Sequence, residues 1–294
     1  MIDYSRSCYH RKGMFEFWVL NHEDFNPEYF TDKKTNRMIY PIRAKENGFY
    51  IEIDKYKGFF MANYKEIHNS YNSKFIKACR NMTYSKFKDS LSIQLSNMFK
   101  PLDTNITKLK IGFWVDLKMD VRTFLNTHLI LHNFSYYNLN KLPGKKKDFI
   151  EFKYDEYSIE LSTCTSKSSS KNKRGKMKII WNIEDKNQFK LSNPLNISEL
   201  FNEEVLRVLF DGYIKKFNEL IIIDKSKIVL IPDLKEKELM LEYRAYGYWK
   251  SLNKYKRYRN KKKFLELVKK YELDSINVNI KNSLIKEFSN FINN

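Results

Sequence analysis

The feature that most constrains this chain is the way its apolar period changes along the first two thirds. Phe49-Tyr-Ile-Glu-Ile-Asp54 and Phe59-Phe-Met-Ala-Asn-Tyr64 are short strand-like runs, and Lys55-Tyr-Lys-Gly58 between them reads as a hairpin turn. Over residues 85–99 the period lengthens, with Phe87, Leu91, Leu95 and Met98 on one helical face and Pro101 closing the segment. A strand follows over residues 106–117, a second helix over 121–131, and further strands over 149–163 and 177–183. The run from Met14 to Leu20 is apolar and aromatic and is read, with the rest of the N-terminal third, as strand and turn. This order predicts an α+β fold: an antiparallel sheet with helices packed on one face.

A helical, basic C-terminal region comes next. Asn196 with Glu199 three residues on has the form of a capping box. Leu200, Phe201, Val205, Val208, Leu209 and Phe217 then keep a helical period. A short hairpin over 220–231 and a long helical region over 236–271 complete the reading. A weakly marked boundary near residue 190 divides a sheet domain, 1–190, from a helical basic-aromatic region, 191–294; the alternative is a single domain.

The chain is 42% hydrophobic and 16% aromatic, with 8 glycines and 6 prolines, a composition that supports a packed core. Cys8, Cys79 and Cys164 are odd in number and widely spaced, which does not suggest a disulfide framework. No apolar run approaches the roughly 20 residues of a membrane helix, and the first residues lack a signal-peptide pattern. The expectation is a reducing, cytoplasmic setting with no membrane partner.

A formal net charge of +19 points to a polyanion. The abundance of Lys, Asn, Ile, Phe and Tyr also fits an AT-rich coding bias, so the arrangement of the lysines has to decide. They are clustered. Lys145-Lys-Lys147 is one run, and Lys167, Lys171, Lys173, Arg174 and Lys176 fill a serine-rich loop. The third cluster is Lys250, Lys254, Lys256, Arg257, Arg259, Lys261, Lys262 and Lys263, interleaved with Trp249, Tyr255 and Tyr258. Cations that neutralise phosphates beside rings that stack on bases suit a groove tracking a nucleic-acid backbone. The expected partner is RNA or single-stranded DNA, alone or within a nucleoprotein nuclease complex.

Catalytic signatures are scarce. No phosphate-cradling glycine loop and no nucleophile elbow is present. His128 and His132 are four apart, which would place them on one helical face, but no glutamate lies between them. No metal and no cofactor is expected from the residues.

Several segments, in order, carry a resemblance. They are the helix over 85–99, Ile106-Thr-Lys-Leu-Lys-Ile-Gly-Phe113, Thr123-Phe-Leu-Asn-Thr-His-Leu-Ile-Leu-His132 and Ile197-Ser-Glu-Leu-Phe201. Phe217-Asn-Glu-Leu-Ile-Ile-Ile-Asp-Lys225 and Tyr248-Trp-Lys-Ser-Leu252 complete the series. Over residues 60–265 the chain resembles replication initiation proteins of small phages and plasmids, the Bacteroidetes-type rolling-circle initiators akin to the filamentous-phage gene II product. The resemblance implies a nicking tyrosine and acidic residues that hold a divalent ion. At the matching positions stand Lys110, Ser162 and Cys164, and Ile180-Trp-Asn182 replaces an Arg-x-Glu pattern. Loss of those groups would abolish nicking while the basic surface persists. The favoured expectation is a non-catalytic nucleic-acid-binding protein of a phage or mobile element, with an anti-CRISPR-type inhibitor engaging guide RNA as one form of it. The alternative is an active initiator that nicks origin DNA with Mg or Mn, through Tyr154 or Tyr157 and with Glu151, Glu160 or Glu184.

Overall fold

The computed structural model describes residues 1–72, 76, 80–136, 149–164, 175–185, 194–245 and 247–294. Its strands are β1 (Ile2–Tyr9), β2 (Glu28–Thr31), β3 (Met38–Glu46), β4 (Phe49–Ile53), β5 (Gly58–Asn63), β6 (Thr104–Asp116), β7 (Leu129–His132), β8 (Phe149–Lys153), β9 (Tyr157–Thr163), β10 (Lys176–Ile183) and β11 (Leu220–Ile223). Nine form one sheet in the order β2-β3-β4-β5-β1-β6-β10-β9-β8, and β7 pairs with β11 as a separate ribbon. Every pairing is antiparallel. The helices are α1 (Lys12–Asn21), α2 (Tyr64–Tyr71), α3 (Tyr84–Ser96), α4 (Val121–Thr127), α5 (Glu203–Phe217), α6 (Lys225–Val229), α7 (Leu234–Tyr243), α8 (Tyr248–Ser251), α9 (Lys254–Lys270) and α10 (Ser275–Asn293). The expected α+β class with an antiparallel sheet is what forms.

Alternation along the strands decides which face is buried. Leu109, Ile111, Phe113 and Val115 of β6 join Met177, Ile179, Trp181 and Ile183 of β10 in the core. Helices cover this face. Gly212 of α5 lies so near the Trp181 ring that a Cβ there would be 3.2 Å away, and Phe210 stacks on Phe288 of α10 at 3.9 Å. The register then sends Tyr4, Arg6, Lys108, Lys110, Asn182 and Glu160 to the other face of the sheet.

Among the described residues two apolar clusters organise the chain. Helices α5 and α10 add Leu206, Phe210, Leu284 and Phe288 to the sheet's core. Residues of β7, β11 and α6 to α9, among them Leu131, Ile223, Trp249 and Phe264, form a second core.

The turn between β3 and β4 is Asn47-Gly48, with φ of 46° and 90°. Both values are left-handed, as a two-residue hairpin of this hand needs. A Cβ on Gly48 would also meet the Ile67 nitrogen at 2.7 Å. Gly48→Ala is therefore expected to cost about 2 kcal/mol, read as a lower urea midpoint at an unchanged slope.

Several sequence expectations are corrected. Residues 14–20 belong to helix α1, because Phe15 and Val19 are both buried at helical spacing. The second helix ends at Thr127: His128 is extended, at φ −83° and ψ 150°, and β7 begins at once. His128 and His132 therefore do not share a helical face. The supposed hairpin over 220–231 is β11, paired with β7, followed by α6, which starts where the Asp224 side chain accepts the Ser226 N–H. The long helix over 236–271 is broken by Gly247, at φ 84°, and restarted by the Asn253 cap. The capping box at Asn196 and Glu199 forms, but it opens a 3-10 turn at Ile197–Phe201 before α5.

Cys8 is a free thiol, whereas Cys164 is disulfide-bonded. Among the described residues no helix is long and apolar enough to cross a membrane.

Candidate nucleic-acid interface

Between residues 254 and 263 the sequence offers seven cations, two tyrosines and an asparagine, and no aliphatic residue to bury. The first half of α9 consequently has no buried residue, and the helix is anchored only from Phe264 onward, through Leu267 and Val268. The Asn253 side chain starts it by accepting the Lys256 N–H. A groove of about 880 Å³ opens beside this half, between α9 and the turn after β7. Lys254, Arg257, Tyr258 and Lys261 line it at spacings of three and four, joined by Tyr255, Asn133 and Ser135. Tyr255 and Tyr258 are 76% and 73% exposed, so both rings are free to stack.

The opposite wall of the groove is strained. Asn133 and Phe134 are consecutive residues at φ 47° and 60°, a conformation costly for non-glycine residues. The Asn133 N–H donates to the Glu219 carbonyl at 2.9 Å, and reciprocal bonds between His132 and Ser135 close the turn. Lys261 lies over the Phe134 ring at 4.5 Å. Burial, with Arg257 as a smaller contribution, lowers its pKa from the ordinary lysine value.

Of the residues singled out from the sequence, Lys254, Tyr255, Arg257, Tyr258 and Lys261 meet at one groove. Lys250, Lys256, Arg259, Lys262 and Lys263 are exposed elsewhere on α8 and α9. Trp249 is a correction: it is 0% exposed, its indole N–H donates to the Tyr243 carbonyl at 3.0 Å, and its ring packs on Phe134 and Phe264. It holds the second core and cannot stack on a base. Lys176 pairs with Asp116 at 2.8 Å. Lys145 to Lys147, Lys167, Lys171, Lys173 and Arg174 lie outside the described residues.

A second array, on the face of the sheet away from the core, was not legible as a cluster because β1, β3, β4, β5, β6 and β10 each contribute one or two residues. Arg6 lies over Phe59 at 4.9 Å, Lys45 over Tyr50 at 5.0 Å, Lys110 over Tyr4 at 5.5 Å and Lys178 over Trp114 at 5.4 Å. This face ends at a polar recess of about 210 Å³ bounded by Tyr154 and Tyr157. Glu151, Glu160 and Glu184 line it with Lys108, Lys110 and Lys153, and Glu184 pairs with Lys108 at 2.5 Å. Two of the positions that depart from the initiator pattern, Lys110 and Asn182, are cross-strand partners here. Three lysines alternate with the three glutamates on its walls, and among the described residues no three His, Cys, Asp or Glu side chains are placed so that they could hold a metal ion together.

Behind the tyrosines lies His132, fully buried. Its Nδ1 is 2.7 Å from the Tyr154 hydroxyl, and its Nε2 is 3.5 Å from the Glu219 carboxylate. Tyr154 and Tyr157 stack at 4.8 Å, and burial pushes both phenols above the ordinary tyrosine value. Burial outweighs Glu219 and lowers the His132 pKa from 6.5; the same cause lowers that of His128 despite Asp224. Burial also lowers the Met1 ammonium from 8.0 to about 5, so stability is expected to fall as the pH drops below about 8 and more steeply below about 6.5, because there the unfolded chain binds protons that the folded one refuses. Chemical denaturation between pH 7.5 and 5 tests this, and His132→Gln should flatten the slope.

No family model matches the chain, and no curated protein matches it. One solved structure, the rolling circle replication initiator protein from Geobacillus stearothermophilus, is similar at 8% identity, over 81% of this chain and 89% of that one, with a TM-score of 0.38. A likeness that loose carries no argument about fold, activity or partner.

Proposed function

We propose that this chain binds nucleic acid, neutralising phosphates along the first half of α9 and stacking unpaired bases on Tyr255 and Tyr258, without cutting the strand. The observation that supports this best is a half-helix with seven cations, no acid and no buried residue beside a groove lined by two exposed rings. A basic surface made only by codon bias would be spread over the molecule, whereas here cations and rings share one helix. Stacking rings favour single strands, with each base worth roughly 1–3 kcal/mol. Ultraviolet crosslinking of a bound halogenated oligonucleotide is expected to label the peptide containing Tyr255 and Tyr258. Efficient labelling confined to other peptides would contradict the reading. The further step to an inhibitor of an RNA-guided nuclease has no residue of the groove to support it.

One observation favours a second reading, strand nicking through Tyr154. Its hydroxyl lies beside the His132 imidazole as a nucleophile beside a base, with the Glu219 carboxylate 3.5 Å beyond Nε2 but not hydrogen-bonded to it. The phenol stays protonated at neutral pH and the imidazole is neutral; in the tautomer with the proton on Nε2, Nδ1 is a base at the hydroxyl, which also donates to the His132 carbonyl at 3.3 Å. Nicking of supercoiled DNA that disappears in Tyr154→Phe would establish this reading over the first.

A further inference from the structure

We infer that the polar recess bounded by Tyr154 and Tyr157 receives one unpaired nucleobase that bears an exocyclic amino group, giving the protein a base preference. The inference rests on the nucleic-acid reading above and assigns it a second contact.

Size is the first argument. At about 210 Å³ the recess is smaller than the 300–1,000 Å³ typical of sites for drug-sized molecules, and it has room for a single planar base. Its approach is the second. Lys110 belongs both to the ring–cation array, over Tyr4, and to the wall of the recess. A strand laid along the array, with phosphates on the cations and bases on the rings, would reach the recess without leaving the sheet.

The chemistry of the lining is the third argument, and it selects the ligand. Glu151 and Glu160 stand directly opposite each other on β8 and β9, an arrangement of like charges that a donor placed between them would relieve. Asn182 is only 6% exposed and lines the recess. Its Nδ2 donates to Ser158 Oγ at 2.9 Å, while its Oδ1 has no partner. A buried acceptor left empty beside two carboxylates calls for N–H donors. Cytosine and adenine present an amino group next to a ring acceptor, which Lys110 can serve while Lys108 stays paired with Glu184. Thymine and uracil present a carbonyl at that place, which the carboxylates repel.

Fluorescence anisotropy with labelled oligo(dC), oligo(dA) and oligo(dT) of one length, at one salt concentration, tests the assignment on the full chain. Oligo(dC) or oligo(dA) is expected to bind about tenfold more tightly than oligo(dT), the value of one hydrogen-bonded base edge. In Glu160→Gln, and separately in Glu151→Gln, that difference should collapse. Tight binding of all three oligomers with equal affinity would overturn the base-reading recess and leave the nucleic-acid reading standing. A preference that survives both variants would also overturn it. Failure of every oligomer to bind would remove the nucleic-acid reading and this inference together.

Discussion

Glutamine at all seven cations of the first half of α9 lowers affinity for single-stranded nucleic acid by about three orders of magnitude or more near 0.1 M salt. That is the result expected of Lys254, Lys256, Arg257, Arg259, Lys261, Lys262 and Lys263 replaced together. Each phosphate neutralised on a single strand releases counterions and contributes about −0.7 to the slope of log affinity against log salt. Seven contacts would give a slope near −5, and the three cations lining the groove, Lys254, Arg257 and Lys261, about −2. The triple variant should thus lose roughly a hundredfold and the full variant far more, with the slope flattening in step. Folding should be spared. None of the seven side chains is buried, glutamine is a good helix former, and removing adjacent like charges relieves repulsion within the helix. Filter binding at several salt concentrations, with a thermal melt as control, reads both quantities.

Trp249→Ala should do the reverse, costing stability by about 3–5 kcal/mol while leaving the groove's charges untouched. The indole packs against Phe134, Tyr243 and Phe264 and satisfies the Tyr243 carbonyl. Its loss opens a cavity in the smaller of the two cores and leaves that carbonyl without its donor. A drop in melting temperature on the order of 10 °C would follow. Tyr255→Ala and Tyr258→Ala remove exposed rings and should leave the melt nearly unchanged while weakening binding. A Trp249 variant that melts like the wild type yet loses stacking would return the ring to the surface role its sequence neighbours suggested.

That contrast shows where the sequence was legible. Strong alternation in β4, β5, β6 and β10 and the 3.6 period of α3 and α5 placed the central elements within a few residues. Helix α1 was read as a strand because Met14 to Leu20 is apolar and aromatic but for Glu16; only Phe15 and Val19 are fully buried, Trp18 packs on the edge of the core, and Phe17 stays exposed. Strand β1 gave little signal because Ser5 and Ser7 occupy buried positions, the former bonded to the Tyr64 hydroxyl at 2.8 Å. At the interface, the density of lysine and tyrosine over 254–263 was enough to find the helix, but not the facing wall. Asn133 and Ser135 carry no distinctive pattern, and they enter only because β7 pairs with β11 and turns beside α9. Trp249 was misplaced because a ring among lysines looks the same in sequence whether it faces solvent or a core. The array on the sheet is a register effect spread over six strands, so no stretch of sequence contains it.

The most direct test of the account is the binding of labelled single-stranded DNA and RNA to the wild-type chain across a salt series with Mg²⁺ present, followed by a denaturing gel. Affinity that falls steeply between about 0.05 and 0.2 M salt, with every strand intact, is the expected result. Weak binding indifferent to salt would mean that the basic half of α9 is a solvated surface, and a discrete cleavage product would mean that Tyr154 and His132 do chemistry that the binding account leaves out.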